Sequence, residues 1–316
     1  MKNAVLRIIS LAILSILLAS CSADTHDAKD ATSTIEPSAT TVPGAIPSPT
    51  FTPAATFTRT SATRTLQPIG WRNTTTPASV FMKASYWIEV DVSEGRKILA
   101  AVFEPSGPGP HPAVVFLHGI EGFRESHLEL AREMSQHGMT VIAGCWFNAY
   151  IDPDVSGQSD AIRCPDGPPI LTLSFAPVAA AVTNISMFIN SVRTLPNVKS
   201  DSVALYGSSL GSIAATAVAL TGARLKAVVA STGYITSYLP LGVQGIQAPV
   251  LIMQGTPDAI IPVAEARKFE AALKADGKDV EAKYYEGAPH EILDDPKWRG
   301  QVRADAAEFL VRKLAN

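Results

Sequence analysis

The chain has 316 residues, 47% of them hydrophobic, with 26 basic and 29 acidic side chains. This length and apolar content suffice for one or two domains with a well-buried core. The nearly balanced charge gives no electrostatic signature for nucleic acid or other polyanions, so we expect no nucleic-acid partner and take small neutral or weakly charged molecules as the default substrates.

The first twenty residues follow the pattern of a secretory signal. Lys2 and Arg7 precede an apolar run, Ile8 to Leu18, that is too short to span a bilayer as a permanent helix. The run ends in Leu-Ala-Ser-Cys21, which resembles a bacterial lipobox. We therefore expect residues 1–20 to be a lipoprotein signal peptide and Cys21 to carry lipid that anchors the protein to a membrane outside the cytoplasm. An ordinary signal peptide with an incidental cysteine is the alternative.

Residues 21–79 are dominated by Thr, Ser, Pro and Ala and sustain neither a strand period nor a helix period. Such a segment buries too little apolar surface to offset the entropy of ordering, so it is predicted to be a disordered tether. Trp71 lies near its end and either packs on the domain or marks the boundary. The folded catalytic domain is predicted to span residues 80–316.

From residue 80 onward, strand-like and helix-like segments alternate. The first two strands are expected to pair as a hairpin around Ser93-Glu94-Gly95. The later strands are short apolar runs separated by helices, which is typical of a mostly parallel sheet with helices on both faces. The predicted strands are Tyr86–Val92, Lys97–Glu104, Ala113–Leu117, Thr140–Trp146, Val203–Tyr206, Lys226–Ala230, Val250–Met253 and Val280–Tyr285. The predicted helices are Ser126–His137, Pro177–Thr194, an Ala-rich segment after Gly211, Ala264–Ala275 and Gln301–Leu314.

One strand-to-helix junction carries a motif for nucleophilic chemistry. The run Val203 to Tyr206 stops at Gly207-Ser208-Ser209-Leu210-Gly211, and the Ala-rich helix follows at once. In a G-x-S-x-G nucleophile elbow the serine lies on a strained turn with its hydroxyl exposed, and the glycines remove Cβ atoms that would collide. Ser209 holds that position, whereas Ser208 lacks the glycine spacing. The alternative is a tight turn that contains a serine without a role.

A nucleophilic serine needs a base and a carboxylate that orients the base. His290 is the only histidine after Ser209, and it lies in the loop that follows strand Val280–Tyr285. Asp258 follows the run Val250–Met253 and a turn, beyond the carboxyl end of a parallel strand, where active-site residues cluster. The sequence therefore predicts a triad in the order serine, acid, histidine. A turn-forming aspartate after proline is the alternative for Asp258.

Two backbone N–H groups are expected to stabilise the oxyanion of a tetrahedral intermediate. One belongs to Leu210, directly after the nucleophile. The other is predicted at Ile120, in the loop His118-Gly119-Ile120-Glu121-Gly122 that follows strand Ala113–Leu117. His118 is a candidate second base, but the chain order argues against it, so we interpret it as a residue that braces this loop. Glu121 is interpreted as a group at the rim of the pocket.

Together these motifs resemble the α/β-hydrolase superfamily, and the compact layout is similar to its dienelactone hydrolase-like branch. The resemblance rests on the HGIEG loop, the GSSLG elbow, the GTPD turn and the GAPH loop, and it covers Tyr86 to Leu314. It implies an α/β-hydrolase fold and a hydrolase that uses neither metal nor organic cofactor. Dienelactone hydrolases carry cysteine at the nucleophile position, whereas this chain has Ser209, which favours general ester cleavage. The stretch Ser231–Ala248 is too short for a large lid domain.

The irregular stretch Phe147–Thr172 is expected to form a wall of the pocket. It contains Cys164, and Cys145 lies on the strand before it. Outside the cytoplasm these two cysteines are expected to form a disulfide. The alternative is a buried, apolar Cys145 and a free thiol at Cys164.

The sequence as a whole predicts a membrane-anchored, extracytoplasmic serine hydrolase that cleaves small-molecule carboxylic esters through an acyl-enzyme intermediate. A peptidase or amidase with the same triad is one alternative. A hydrolase-like lipoprotein that binds a surface ligand without catalysis is the other. The sequence specifies neither the acyl group, the leaving group nor the oligomeric state, because fold resemblance does not define a substrate.

Overall fold

The computed structural model describes residues 70–77, 82–147, 162, 175–234 and 242–315. Within these residues, nine strands form a single sheet on which five α-helices pack. The strands are β1 (Trp71–Thr74), β2 (Tyr86–Asp91), β3 (Lys97–Phe103), β4 (His111–Leu117), β5 (Thr140–Cys145), β6 (Val198–Ser208), β7 (Val228–Ser231), β8 (Val250–Gly255) and β9 (Val280–Tyr285). The helices are α1 (Glu125–Ser135), α2 (Phe175–Val192), α3 (Leu210–Leu220), α4 (Val263–Ala275) and α5 (Arg299–Leu314).

The sheet has the strand order β1-β2-β3-β5-β4-β6-β7-β8-β9. The pairings β1–β2, β2–β3 and β3–β5 are antiparallel, and all pairings from β5 to β9 are parallel. The chain order reverses around β4, which lies between β5 and β6, and such a switch point opens a crevice at the carboxyl ends of the strands. The register aligns Leu117, at the end of β4, with Gly207 of β6.

Two hydrophobic cores cover the two faces of the sheet. Successive residues of β4 point to opposite faces, so that Val115 and Leu117 join one core while Val114 and Phe116 join the other. Helices α2, α3 and α4 contribute to the first core, and α1 and α5 contribute to the second. Because both faces are buried, the central strands need apolar residues at every position, which explains their continuous apolar sequences.

The folded region starts earlier in the chain than predicted, because β1 pairs with β2. The indole N–H of Trp71 donates to Thr194 Oγ1 at 3.1 Å, and Arg72 forms ion pairs with Glu89 and Asp91. The last part of the predicted tether therefore includes an edge strand. Its sequence, Trp-Arg-Asn-Thr, lacks the apolar alternation that would have indicated a strand.

The predicted α/β architecture with a mostly parallel sheet is confirmed. The predicted element ends differ from the observed ones by at most two residues, except that β6 extends the predicted run Val203–Tyr206 at both ends. No large lid lies within the described residues between β7 and β8, and most of the predicted pocket wall, 148–161 and 163–172, lies outside them. In the part of the chain that the structure describes, no helix is both long and apolar enough to cross a membrane.

Candidate active site

The turn between β6 and α3 places Ser209 in a conformation that few non-glycine residues adopt. Its φ is 50° and its ψ is −115°, and its backbone N–H donates to Ser231 O at 2.8 Å. A Cβ atom on Gly207 would lie 2.2 Å from the carbonyl oxygen of Gly211, and one on Gly211 would lie 2.0 Å from that of Leu117. Both positions therefore require glycine, and the strained turn leaves Ser209 partly exposed.

The structure brings Ser209, His290 and Asp258 into one hydrogen-bonded chain. His290 Nε2 lies 2.9 Å from Ser209 Oγ, and His290 Nδ1 lies 2.7 Å from Asp258 Oδ2. Since the carboxylate can only accept, Nδ1 carries the proton in this arrangement, and Nε2 is free to accept the proton of the serine hydroxyl. This is the geometry that general-base activation of a serine requires.

The environment of His290 favours its protonated form. Burial, which leaves the residue 8% exposed, lowers the pKa of the imidazole. The hydrogen bond to Asp258 and the negative charge of that carboxylate act in the opposite direction, with smaller contributions from Glu291 and Glu121. The net result is that the pKa of His290 is raised above its ordinary value of 6.5.

Asp258 accepts hydrogen bonds from three donors in addition to His290. Its Oδ1 accepts the backbone N–H groups of Ile260 at 2.8 Å and Ile261 at 2.9 Å. Its Oδ2 accepts the Nε2–H of Gln254 at 2.7 Å in addition to the bond from His290. The side chain of Asp258 is fully buried, so its carboxylate depends on these four donors to replace water.

Gln254 is a residue of this site that the sequence pattern did not predict. It lies on β8, is 1% exposed, and also donates to the carbonyl oxygen of Ile261 at 3.1 Å. The signal for it was present in the sequence, because Gln254 is a polar residue within an otherwise apolar run that leads into the Asp258 turn. A buried amide at such a place needs hydrogen-bond partners, and the nearest carboxylate is a natural one.

The loop that carries His290 is fixed by close backbone contacts. A Cβ atom on Gly255, at the end of β8, would lie 2.1 Å from the carbonyl oxygen of Ala288. On the far side of the loop, Arg303 of α5 donates to the carbonyl oxygen of Leu293 at 3.1 Å and pairs with Glu133 of α1 at 2.9 Å. The histidine is thus held between the end of a strand and two helices.

The loop after β4 lies directly against the elbow, since Leu117 pairs in register with Gly207. Its residue Ile120 and the first residue of α3, Leu210, are the two predicted oxyanion donors. Both N–H groups are without a hydrogen-bond partner among the described residues.

His118 is completely buried in this loop, and it does not contact Ser209 or His290 by a hydrogen bond within the described residues. Its Nδ1 donates to the carbonyl oxygen of Gly119 at 2.8 Å. Burial, together with the nearby His127, lowers the pKa of His118 to about 3, so the ring is neutral at physiological pH. Trp146 donates its indole N–H to the carbonyl oxygen of His118 at 3.0 Å. These contacts agree with its interpretation as a brace.

A comparison with known protein families agrees with this architecture. Residues 98–313 match the model of the dienelactone hydrolase family. The chain belongs to this family. It is also similar to a Synechocystis protein assigned as a carboxymethylenebutenolidase. The two are 23% identical over 228 residues, and this alignment covers 68% of this chain and 89% of that protein.

Solved structures share the fold of this dienelactone hydrolase family member. A Klebsiella pneumoniae protein assigned as a dienelactone hydrolase is 22% identical, with a TM-score of 0.56 over 72% of this chain and 97% of its own. Acetyl xylan esterase 1 from Thermoanaerobacterium is 16% identical, with a TM-score of 0.52 over 78% of this chain and 88% of its own. At such identities the likeness concerns the fold and leaves the substrate open.

The remaining predicted sites are described only in part. Cys145, at the end of β5, is fully buried and disulfide-bonded, whereas its predicted partner Cys164 lies outside the described residues, as does the lipidation residue Cys21. Among the described residues, no group of three or more His, Cys, Asp or Glu side chains is arranged to hold a metal ion.

Proposed function

We propose that this dienelactone hydrolase family member cleaves carboxylic esters with Ser209 as its nucleophile. The observation that carries the proposal is the continuous hydrogen-bonded chain from Ser209 Oγ through His290 to Asp258, with distances of 2.9 and 2.7 Å. It lies at the carboxyl ends of the parallel strands, where the two unengaged N–H groups of Ile120 and Leu210 also lie. Candidate groups for activating the serine, orienting the histidine and stabilising the oxyanion are thus found in one region of the fold.

In the first half of the reaction, Ser209 Oγ attacks the acyl carbon while its proton passes to His290 Nε2. Asp258 keeps the proton on Nδ1 and stabilises the imidazolium that forms. The carbonyl oxygen becomes an oxyanion, which accepts hydrogen bonds from the N–H groups of Ile120 and Leu210. When this intermediate collapses, the C–O bond to the alcohol breaks, and His290 donates its proton to the departing oxygen.

In the second half, a water molecule attacks the acyl-enzyme and gives its proton to His290. The second tetrahedral intermediate uses the same two N–H groups. Its collapse breaks the bond to Ser209 Oγ, which recovers its proton from His290, and the carboxylic acid leaves. All proton transfers use one histidine, whose raised pKa suits it to act as base in one step and as acid in the next.

The test compares two adjacent serines of the same turn. Ser209→Ala should abolish hydrolysis of 4-nitrophenyl acetate and labelling by a fluorophosphonate probe, whereas Ser208→Ala should retain both. Circular dichroism and melting temperature establish that both variants fold. Full activity of Ser209→Ala, or the absence of any labelling of the wild type, would refute the proposal. Parallel assays of matched amides address the peptidase alternative, because the same triad serves both bonds.

We further propose, from the sequence alone, that Cys21 is lipidated and holds the domain on the outer side of a membrane. Cells grown with a labelled fatty acid should incorporate the label into the wild-type protein but not into Cys21→Ala. The variant should also move from the membrane fraction to the soluble fraction. An unlabelled wild type would end this proposal without affecting the hydrolase proposal.

A further inference from the structure

The peptide group between Gly119 and Ile120 is held by several hydrogen bonds. The carbonyl oxygen of Gly119 accepts His118 Nδ1–H at 2.8 Å and the backbone N–H of Gly122 at 3.1 Å. In a trans peptide, the C=O and the following N–H point in opposite directions. Because the Gly119 carbonyl is fixed towards His118 and Gly122, the N–H of Ile120 must point the other way.

Glu121 completes this arrangement from the other side of Gly119. Its Oε1 accepts the backbone N–H of Gly119 at 3.0 Å, and its carboxylate lies over the same residue. A Cβ atom on Gly119 would lie 2.2 Å from Glu121 Oε2, so the carboxylate fills the space that a side chain would take. Both dihedral angles of Gly119 are thus constrained through its own N–H and C=O.

Glu121 is itself held by His127 of α1. His127 Nε2 lies 3.3 Å from Glu121 Oε1, and His127 Nδ1 accepts the backbone N–H of Arg124 at 3.1 Å. Because Nδ1 accepts this backbone N–H, the ring hydrogen that is donated to the carboxylate lies on Nε2. His127 is 3% exposed and packs against Phe116 and Phe123, which fixes the donor in place.

We propose that Glu121 is a positioning residue for hydrolysis, whose carboxylate, held by His127, keeps the Gly119–Ile120 peptide oriented so that the Ile120 N–H faces the oxyanion. The inference rests on the proposed function. It adds a positioning role to the interpretation of Glu121 as a group at the pocket rim, with which its partly exposed side chain agrees. It also assigns a purpose to His127, which has no place in the proton transfers of the triad.

Two substitutions can separate the effect of the Glu121 charge from the effect of its hydrogen-bonding oxygens. Burial raises the pKa of Glu121, but the hydrogen bond from His127, together with the electrostatic influence of His127 and His118 and a backbone hydrogen bond, lowers the pKa to about 2, so the group is ionised at neutral pH. Its charge also contributes to the raised pKa of His290. Glu121→Gln retains an acceptor oxygen for Gly119 and His127 but removes the charge. Glu121→Ala removes both.

The full-length protein should be assayed with 4-nitrophenyl acetate and with phenylboronic acid, which forms a tetrahedral adduct on an activated serine. We expect Glu121→Ala to lower kcat about 10- to 100-fold, with KM within about threefold and boronate affinity reduced in parallel with kcat, because misorienting one oxyanion donor affects the transition state selectively. Glu121→Gln should recover kcat to within about threefold. Its acid limb in the pH profile should move to lower pH.

Two further variants complete the test. His127→Phe keeps the aromatic packing and removes the donor, so it should resemble Glu121→Ala, and it carries the test if Glu121→Ala does not fold. Glu286→Ala removes an exposed carboxylate four residues before His290 in the chain and should leave kcat unchanged. Unchanged kcat in Glu121→Ala, or equal losses in Glu121→Ala and Glu121→Gln, would overturn the inference while the hydrolase proposal stands. A wild type without Ser209-dependent activity would overturn both.

Discussion

Gln254 Nε2 lies 2.7 Å from Asp258 Oδ2, the same carboxylate oxygen that accepts the Nδ1–H of His290. The amide N–H therefore donates to the same charged oxygen that would stabilise the imidazolium of His290 during the reaction. It also fixes the carboxylate from the side opposite to the Ile260 and Ile261 N–H groups, which bind Oδ1. Gln254 is thus one of the donors that orient Asp258 and disperse its charge in the proposed triad.

Gln254→Leu should therefore lower kcat/KM by about tenfold, because a buried hydrogen bond to a charged group contributes about 1.5–3 kcal/mol. The Asp258 charge is then shared with fewer donors and interacts more strongly with His290. This raises the pKa of His290 further, so the acid limb of the kcat/KM profile should move to higher pH. An unchanged pH profile together with unchanged kcat/KM would show that Gln254 has no part in positioning Asp258.

Asp258→Asn should change the pH profile in the opposite direction. His290 acts as a base only when neutral, and its raised pKa places the acid limb of the wild type above about 6.5. Without the carboxylate, the two main influences that raise this pKa are lost while burial remains, so the acid limb of the residual activity should move to lower pH. kcat should fall by about 10⁴ because the imidazole loses its orientation and its charge partner.

The exposed carboxylate of Asp279 provides a control for this measurement. Asp279 is paired with Lys313 at the protein surface, away from the hydrogen-bonded chain of the site. Asp279→Asn should retain both the wild-type kcat and the wild-type acid limb. If Asp258→Asn retained the wild-type pH profile, a group other than His290 would have to be the base.

The glycines of the elbow should be irreplaceable for steric reasons. A Cβ atom on Gly211 would meet the backbone carbonyl of Leu117 at 2.0 Å, and that carbonyl belongs to a central strand that cannot move without disturbing both cores. We expect Gly211→Ala to lower the free energy of unfolding by about 1–3 kcal/mol or more. Chemical denaturation followed by tryptophan fluorescence measures the change.

The same substitution should be harmless at Gly300, in the first turn of α5. A Cβ atom there meets no atom within 4 Å, and alanine is the better helix former. Gly300→Ala should leave stability unchanged or raise it by up to about 1 kcal/mol. Equal effects of the two substitutions would show that the close contact at Gly211 does not limit stability.

The sequence was informative where the structural signal is local. The apolar runs and the glycine spacing around Ser209 predict β6, the elbow and α3, because each signal depends on a few adjacent residues. Asp258 and His290 were then found from chain order, since both follow strands whose carboxyl ends meet at one edge of the sheet.

Residues whose role depends on tertiary contacts were missed. Gln254 and His127 act through hydrogen bonds to particular carboxylates, and a polar residue in a sequence does not by itself indicate which of several nearby acceptors it will reach. β1 is stabilised by pairing with β2 and by contacts of Trp71 and Arg72 with distant parts of the chain, rather than by its own sequence pattern.

The cysteine at the end of β5 gives a final prediction. Cys145 is disulfide-bonded, and a bond to Cys164 would close a loop of about twenty residues, which corresponds to about 3 kcal/mol of stabilisation. Peptide mapping without reductant should recover Cys145 linked to Cys164.

Cys164→Ser should release one thiol at Cys145 in the denatured protein and lower the free energy of unfolding by about 2–4 kcal/mol. Reductant should destabilise the wild type but not this variant, because only the wild type has a bond to lose. Recovery of Cys145 as a free thiol, or linked elsewhere, would contradict the pairing.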